Sequence, residues 1–227
     1  MSSIGILGGM GPQASNLLLS LLIESSHKFT TIQSDEDFPD IVLLNVPMPN
    51  FTQDTANQTR ATEVLLSKLP ILEQAQTTVN AIACNTVHLM LPEIQASTNL
   101  KFIHMPNLVI NHAKKMRFKK VGLLGSQTTV DSDLYRPDTK ELSVIKPNAG
   151  MQRKINHLIM AQIQGKISQD DRSQLKEIVE RFIEDYTLDA VILGCTELPV
   201  ILGEHPRCIS SLHVLADSLL EEYFMGN

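Results

Sequence analysis

Ile4-Gly5-Ile6-Leu7-Gly8 near the start of the chain returns as Val121-Gly122-Leu123-Leu124-Gly125, displaced by 117 positions from Gly5 to Gly122. Each copy is a short apolar run closed by glycine, the pattern of a buried strand that ends in a tight turn. A second pair of motifs keeps step with the first. Val79-Asn80-Ala81-Ile82-Ala83-Cys84-Asn85-Thr86 is echoed by Ala190-Val191-Ile192-Leu193-Gly194-Cys195-Thr196-Glu197. The interval from Gly strand to cysteine is 76 positions in the first half, Gly8 to Cys84, and 70 in the second, Gly125 to Cys195. Such agreement implies a duplicated architecture, and 227 residues are enough for two small domains with real cores.

Between these landmarks, short apolar runs alternate with longer helical patterns. Strands are expected at Ser3 to Gly8, Ile41 to Val46, Val79 to Ala83 and Lys101 to His104. Helices are expected at Pro12 to Lys28, at Asn57 to Gln76 with a break or kink at Pro70, and around His88 to Ser97. In the second half the strands are Val121 to Gly125, a weak Leu142 to Ile145, and Asp189 to Leu193. A helix starts near Thr129, another covers Gly150 to Gln164, and Ser168-Gln169-Asp170-Asp171 is an N-cap for a helix to Tyr186. The βαβα order predicts parallel sheets covered by helices. The fold expected is therefore α/β, with two similar parallel-sheet domains related by pseudo-twofold symmetry and the active site in the cleft between them. The boundaries are 1–105 and 106–209, and the C-terminal helix within 210–227 packs back on the first domain.

The composition narrows the classes of function. Net charge is −6, and the densest basic stretch, Lys114-Lys115-Met116-Arg117-Phe118-Lys119-Lys120, reads as a helix end and solvated loop, not a nucleic-acid surface. The longest mostly apolar run, Leu17 to Ile23, is too short to span a bilayer, and no secretory signal is visible. Three cysteines, an odd number without close spacing, argue against a disulfide framework and a structural zinc site, and place the chain in the reducing cytoplasm.

Ligands of parallel α/β sheets bind beyond the carboxyl ends of the strands. Cys84 and Cys195 occupy such ends, as do Gly8-Gly9-Met10-Gly11-Pro12 and Ser126-Gln127-Thr128-Thr129. Each cysteine precedes a helix, whose positive end favours the thiolate. A thiol ionises near pH 8.5, so modest stabilisation makes it a usable base. One thiolate can take a proton from carbon while a thiol on the other face returns one, which inverts a stereocentre without a cofactor. Each cysteine also has a packing reading. Cys208 on its short strand is read as structural. His88, four residues after Cys84, either tunes that thiol or packs its helix. Glu197 either orients a substrate ammonium or caps the helix after Cys195. Gly8 to Gly11 lacks the spacing of a dinucleotide fingerprint and reads better as backbone N–H groups cupping a carboxylate, with Met10 and Gly11 in contact.

Ile4-Gly5-Ile6-Leu7-Gly8-Gly9-Met10-Gly11-Pro12, Ala83-Cys84-Asn85-Thr86-Val87-His88 and Gly194-Cys195-Thr196-Glu197-Leu198 resemble the cofactor-independent aspartate/glutamate racemase family. Phe118 to Leu124, and Tyr135 after the Ser/Thr turn, resemble it too, so the likeness runs over nearly the whole chain. The resemblance implies that Cys84 and Cys195 are the opposed acid and base. It also implies that Asn85, Thr86, Ser126, Thr129 and Thr196 hold the carboxylates and amino group of an amino acid. It further implies no pyridoxal phosphate or other cofactor, no metal, and a homodimer. Two positions depart from the pattern. Where the family has a Pro-Asp-Arg-Thr turn whose Arg grips a side-chain carboxylate, this chain has Pro49-Asn50-Phe51-Thr52. Where a cation is expected near 164 it has Gln164, with Lys166 or Arg60 as replacements. The expected substrate is aspartate, glutamate or a related amino acid, and because a phenyl ring cannot make the bidentate bond of a guanidinium, a larger or less acidic one is among the expectations. A cysteine-dependent isomerase of an unsaturated diacid, a decarboxylase, or a non-catalytic small-ligand-binding protein on the same fold are the alternatives. The retained pair of thiols argues against the decarboxylase.

Overall fold

A computed structural model describes residues 2–49 and 55–226. Phe51 and the rest of its turn from Asn50 onward lie outside the described residues. The chain divides into two compact units, one of the residues up to Met105 together with those from Leu212, the other of Pro106–Ser211.

The first unit is built on β1 (Ile4–Gly8), flanked in parallel by β2 (Ile41–Asn45) and β3 (Val79–Ile82) in the order β2-β1-β3. Parallel neighbours need crossover helices. These are α1 (Pro12–Ser26) between β1 and β2, and α2 (Thr55–Leu66) with α3 (Leu69–Gln74) between β2 and β3. The helical run expected from Asn57 to Gln76 is broken at Ser67-Lys68. Pro70 then stands in the first turn of α3, where its missing N–H costs nothing. The segment expected as one helix around His88 is two pieces, a 3-10 turn at Thr86–Leu89 and α4 (Leu91–Ala96). Lys101 to His104 forms no strand. Phe102 makes one isolated parallel bridge to Asn80 and the chain enters α5 (Met105–Lys115) three residues later, too soon for a ladder. A core of Leu7, Leu65, Leu72, Ile82, Val87 and Ile94 fills the space under the helices, each fully buried. Each such side chain contributes about 1.5–3 kcal/mol by leaving water.

The second unit repeats the plan. The central strand β4 (Lys120–Leu124) pairs in parallel with β5 (Ser143–Ile145) and β6 (Ala190–Leu193), and β7 (Cys208–Ser210) extends the sheet to the order β5-β4-β6-β7. The short α6 (Gln127–Asp131) follows β4, with Ser126 as its N-cap. Helices α7 (Ala149–Ile163) and α8 (Gln169–Tyr186) lie between β5 and β6, and α9 (Glu197–Leu202) follows β6. Ser168 and Asp171 form a full capping box on α8, each side chain taking the other's backbone N–H. The core here centres on Phe182, fully buried among Leu158, Leu175, Val179 and Val191. The final helix α10 (Ser211–Met225) ties to the first unit through stacked Phe224 and Phe29 rings, the Lys28–Asp217 ion pair and the Asp40 N–H on the Tyr223 hydroxyl.

The repeated glycine is explained by space in both units. A Cβ at Gly5 would collide with the Asn80 side-chain oxygen, and one at Gly122 would lie 2.5 Å from the Phe182 ring. The same gap in the central strand is filled by an amide in one unit and a phenyl ring in the other.

Candidate active site

In the first unit, the residues singled out stand at the carboxyl ends of two adjacent strands. The Ala83 N–H donates to the Leu7 carbonyl at 2.9 Å, which sets the turn carrying Cys84 beside the turn carrying Gly9, Met10 and Gly11. Cys84 is 7% exposed, and Asn85 and Thr86 are buried. The expected cup of free amides is partly filled from inside. The Gly9 N–H donates to Ser15 Oγ at 2.8 Å, and that hydroxyl donates to the Gly11 carbonyl at 3.2 Å. Pro12 at the first position of α1 has no N–H to offer. The helix after Cys84 is only the four-residue 3-10 turn, so its dipole is weaker than the sequence pattern implies. His88 lies in that turn, 2% exposed, and its ring takes part in two hydrogen bonds.

A cavity of about 490 Å³ opens beside Thr86. Its described lining includes Gln58, Thr59 and Thr62 of α2, together with Leu89, Met90 and Glu93. Glu93 is the one charged residue among those described, and no cation is among them.

In the second unit, the Gly194 N–H donates to the Leu124 carbonyl at 2.7 Å and sets the Cys195 turn beside Gly125-Ser126. Ser126 Oγ accepts the Thr129 N–H at 3.2 Å and donates to Thr129 Oγ1 at 3.0 Å, so these two hydroxyls form one polar pair. Cys195 is half-buried. Its Sγ lies 2.9 Å from Glu197 Oε2, and the Thr196 hydroxyl donates to the same oxygen at 3.2 Å. Glu197, 4% exposed, thus makes a contact that neither sequence reading anticipated. The clue was the Cys-x-Glu spacing across a tight turn, which lets a long side chain fold back on the thiol. Behind the turn, Tyr135 is 2% exposed and hydrogen-bonded to Ser211, whose Oγ donates to the Leu193 carbonyl at 3.0 Å. Burial drives the Tyr135 phenol well above its usual range, so it stays neutral.

Cys208 is half-buried at the start of β7, and burial pushes its thiol up to about 12. It stays protonated at neutral pH and packs on the second core. Gln164 is the exposed C-cap residue of α7, and Lys166 is exposed in the following turn. Among the described residues no group of His, Cys, Asp and Glu has the grouping of a metal site, and no helix is long and apolar enough to cross a membrane.

Two parallel α/β units joined in this order are found in solved racemase structures. An aspartate racemase homologue from Pyrococcus horikoshii OT3 superposes with a TM-score of 0.79 at 26% identity, covering 97% of this chain and 98% of that one. The Picrophilus torridus aspartate racemase gives 0.78 at 26% identity, covering 98% and 94%. In sequence, the broad specificity amino-acid racemase RacX of Bacillus subtilis (strain 168) is 26% identical over 97% of each chain. Fold and sequence together define an isomerase of the racemase class. The family model for Asp/Glu/Hydantoin racemase matches residues 7–218, and the chain belongs to that family. The resemblance read from the motifs therefore holds.

Proposed function

We propose that this chain is an amino-acid racemase that works by two-base proton transfer between Cys84 and Cys195 across the substrate Cα, without pyridoxal phosphate. The observation that carries the reading is the repeated placement of a thiol. In each unit a cysteine follows, by one small residue, the end of a strand paired with the central Gly-containing strand. In this reading both sulfurs act on one substrate, one on each face of its Cα. One sulfur, as thiolate, takes the Cα proton, and the pair of electrons left on carbon spreads into the carboxylate. The other sulfur, as thiol, gives its proton to the opposite face. The thiol and thiolate are then exchanged, ready for the reverse direction.

The surroundings of the two sulfurs support unequal roles. Glu197 can accept the Cys195 proton through the contact at 2.9 Å, leaving a thiolate that acts as base while Cys84 supplies the acid. Asn85, Thr86, the Ser126–Thr129 pair, Thr196, and the backbone at Met10 and Gly11 bind the carboxylate and ammonium in this account.

The substrate is aspartate, glutamate or a related amino acid, and the cavity beside Thr86 favours the less acidic end of that range. A side-chain carboxylate seated against Glu93, with no cation in the described lining, meets like-charge repulsion. The broad specificity of the Bacillus subtilis relative is compatible with this preference. Cytoplasmic location and a homodimer complete the reading, the first from cysteine usage and the second from family resemblance.

The test is incubation with single enantiomers of acidic, neutral and basic amino acids in deuterium oxide, following chirality and Cα deuterium. Racemisation of at least one amino acid is expected. Either Cys84→Ser or Cys195→Ser should lower it by about 10³-fold or more. A serine variant at either position that keeps wild-type turnover contradicts the two-thiol mechanism. The absence of exchange with every amino acid contradicts the racemase reading itself.

A further inference from the structure

His88 is more constrained than a packing residue needs to be. Its Nδ1 lies 2.8 Å from the Cys84 carbonyl oxygen, which can only accept, so Nδ1 carries the hydrogen. Its Nε2 lies 3.1 Å from the Met105 backbone N–H, which can only donate, so Nε2 is bare. One neutral tautomer satisfies both bonds, and an imidazolium would break the second. Burial holds the ring at about 4, and its titratable neighbour His104, edge-on at 5.2 Å, is also pushed down by burial. At neutral pH His88 is therefore neither an acid nor a base.

What the ring does control is the backbone at Cys84. The β3 ladder ends at Ile82, and regular α-helix resumes only at Leu91, so the carbonyl of Cys84 lies outside both. We propose that His88 is a positioning residue for Cys84, clamping the Cys84–Asn85 peptide plane between the 3-10 turn and the first residue of α5. A trans peptide is planar, with its C=O and N–H pointing in opposite directions. Holding the carbonyl toward His88 thus aims the Asn85 N–H away from it and restrains the Cα from which Sγ projects. The proposal rests on the racemase reading, because the thiol being positioned is its acid.

Two variants of the full chain test it. His88→Leu removes both bonds at similar volume, and His88→Asn restores a donor within reach of the Cys84 carbonyl. On an amino acid that the wild type racemises, His88→Leu is expected to lower kcat about 100-fold with KM changed less than about threefold. His88→Asn should recover about tenfold of that loss. The pH limits of kcat should stay where they are in both. A folded His88→Leu protein with wild-type kcat overturns the proposal. So does a pH limit displaced by about one unit or more, which would make His88 a proton carrier. If His88→Leu does not fold, nitrogen-15 NMR of the wild-type histidines decides. The Nδ1–H tautomer of His88 should persist unchanged from pH 8 to pH 5, and a titration near its ordinary pKa would overturn the clamp. That spectrum requires no turnover, so a wild type without exchange would defeat the racemase reading while the clamp is still judged separately.

Discussion

The turn that carries Cys84 and the turn that carries Cys195 begin alike and are held differently. Both follow a buried parallel strand and a small residue, Ala83 in one and Gly194 in the other. At Cys84 the neighbouring histidine grips the backbone carbonyl, and the residue is packed in the core of the first unit. At Cys195 the neighbouring carboxylate grips the sulfur itself. The first arrangement fixes position without moving a proton, and the second provides a place for a proton to go. The two units therefore share the location of the thiol and differ in the side chains that surround it.

Acid should separate the two units most strongly. The folded-state pKa of His88, about 4, lies below its unfolded value near 6.5, so the unfolded chain takes up the proton first as pH falls. Its stabilisation is complete above pH 6.5 and is lost between 6.5 and 4, by up to about 3 kcal/mol. In the second unit, Asp189 is held low by the backbone N–H groups of Lys120 and Lys119. A depressed carboxyl contributes above its unfolded pKa, near 3.8, and loses its contribution only at lower pH. Hydrogen exchange at pH 5 should show Val79–Ile82 losing protection before Ala190–Leu193, and equal loss in both would remove this part of the contrast.

Glu197→Gln keeps the shape but removes the carboxylate that touches Cys195 Sγ and that we propose accepts its proton. Steady-state kinetics should show kcat lowered by about 100-fold, with both thiols still reactive toward iodoacetamide. A variant with wild-type kcat would leave the two turns chemically equivalent.

The small residues before each cysteine give a milder contrast. A Cβ at Gly194 would lie 2.6 Å from Leu123 Cδ1 and 3.2 Å from the Tyr135 ring, so Gly194→Ala should cost about 1–3 kcal/mol by urea unfolding. Ala83→Gly, in the fully buried equivalent position, should cost only about 0.5–1 kcal/mol. A similarly small effect is expected for Ser168→Ala, about 1 kcal/mol from loss of the α8 cap, also read by urea unfolding.

Much of this was legible where the determinants are local. The Gly strands, the cysteines at strand ends and the Ser168 capping box all depend on residues a few positions apart. The misread features depend on distant partners or on a few hydrogen bonds. Met105, which fixes the tautomer of His88, lies 17 residues further along the chain. Ser15 fills the Gly9 amide from the next turn of chain, so the glycine loop looked emptier in sequence than it is. Lys101 to His104 has strand composition, but one bridge to Asn80 is all that fits before α5 begins. The contact of Glu197 with Cys195 needed the turn geometry, because a Glu two residues from a Cys reads equally well as a helix cap.

The central claim is that two different sulfurs handle the proton, one on each face of Cα. The most direct measurement is the first turnover of one enantiomer in deuterium oxide, with substrate and product separated and each analysed for Cα deuterium. Two thiols predict a product that carries deuterium from its first molecules while the remaining substrate keeps its hydrogen. Product that retains the original hydrogen, or substrate that gains deuterium ahead of inversion, would mean a single base and would contradict the account.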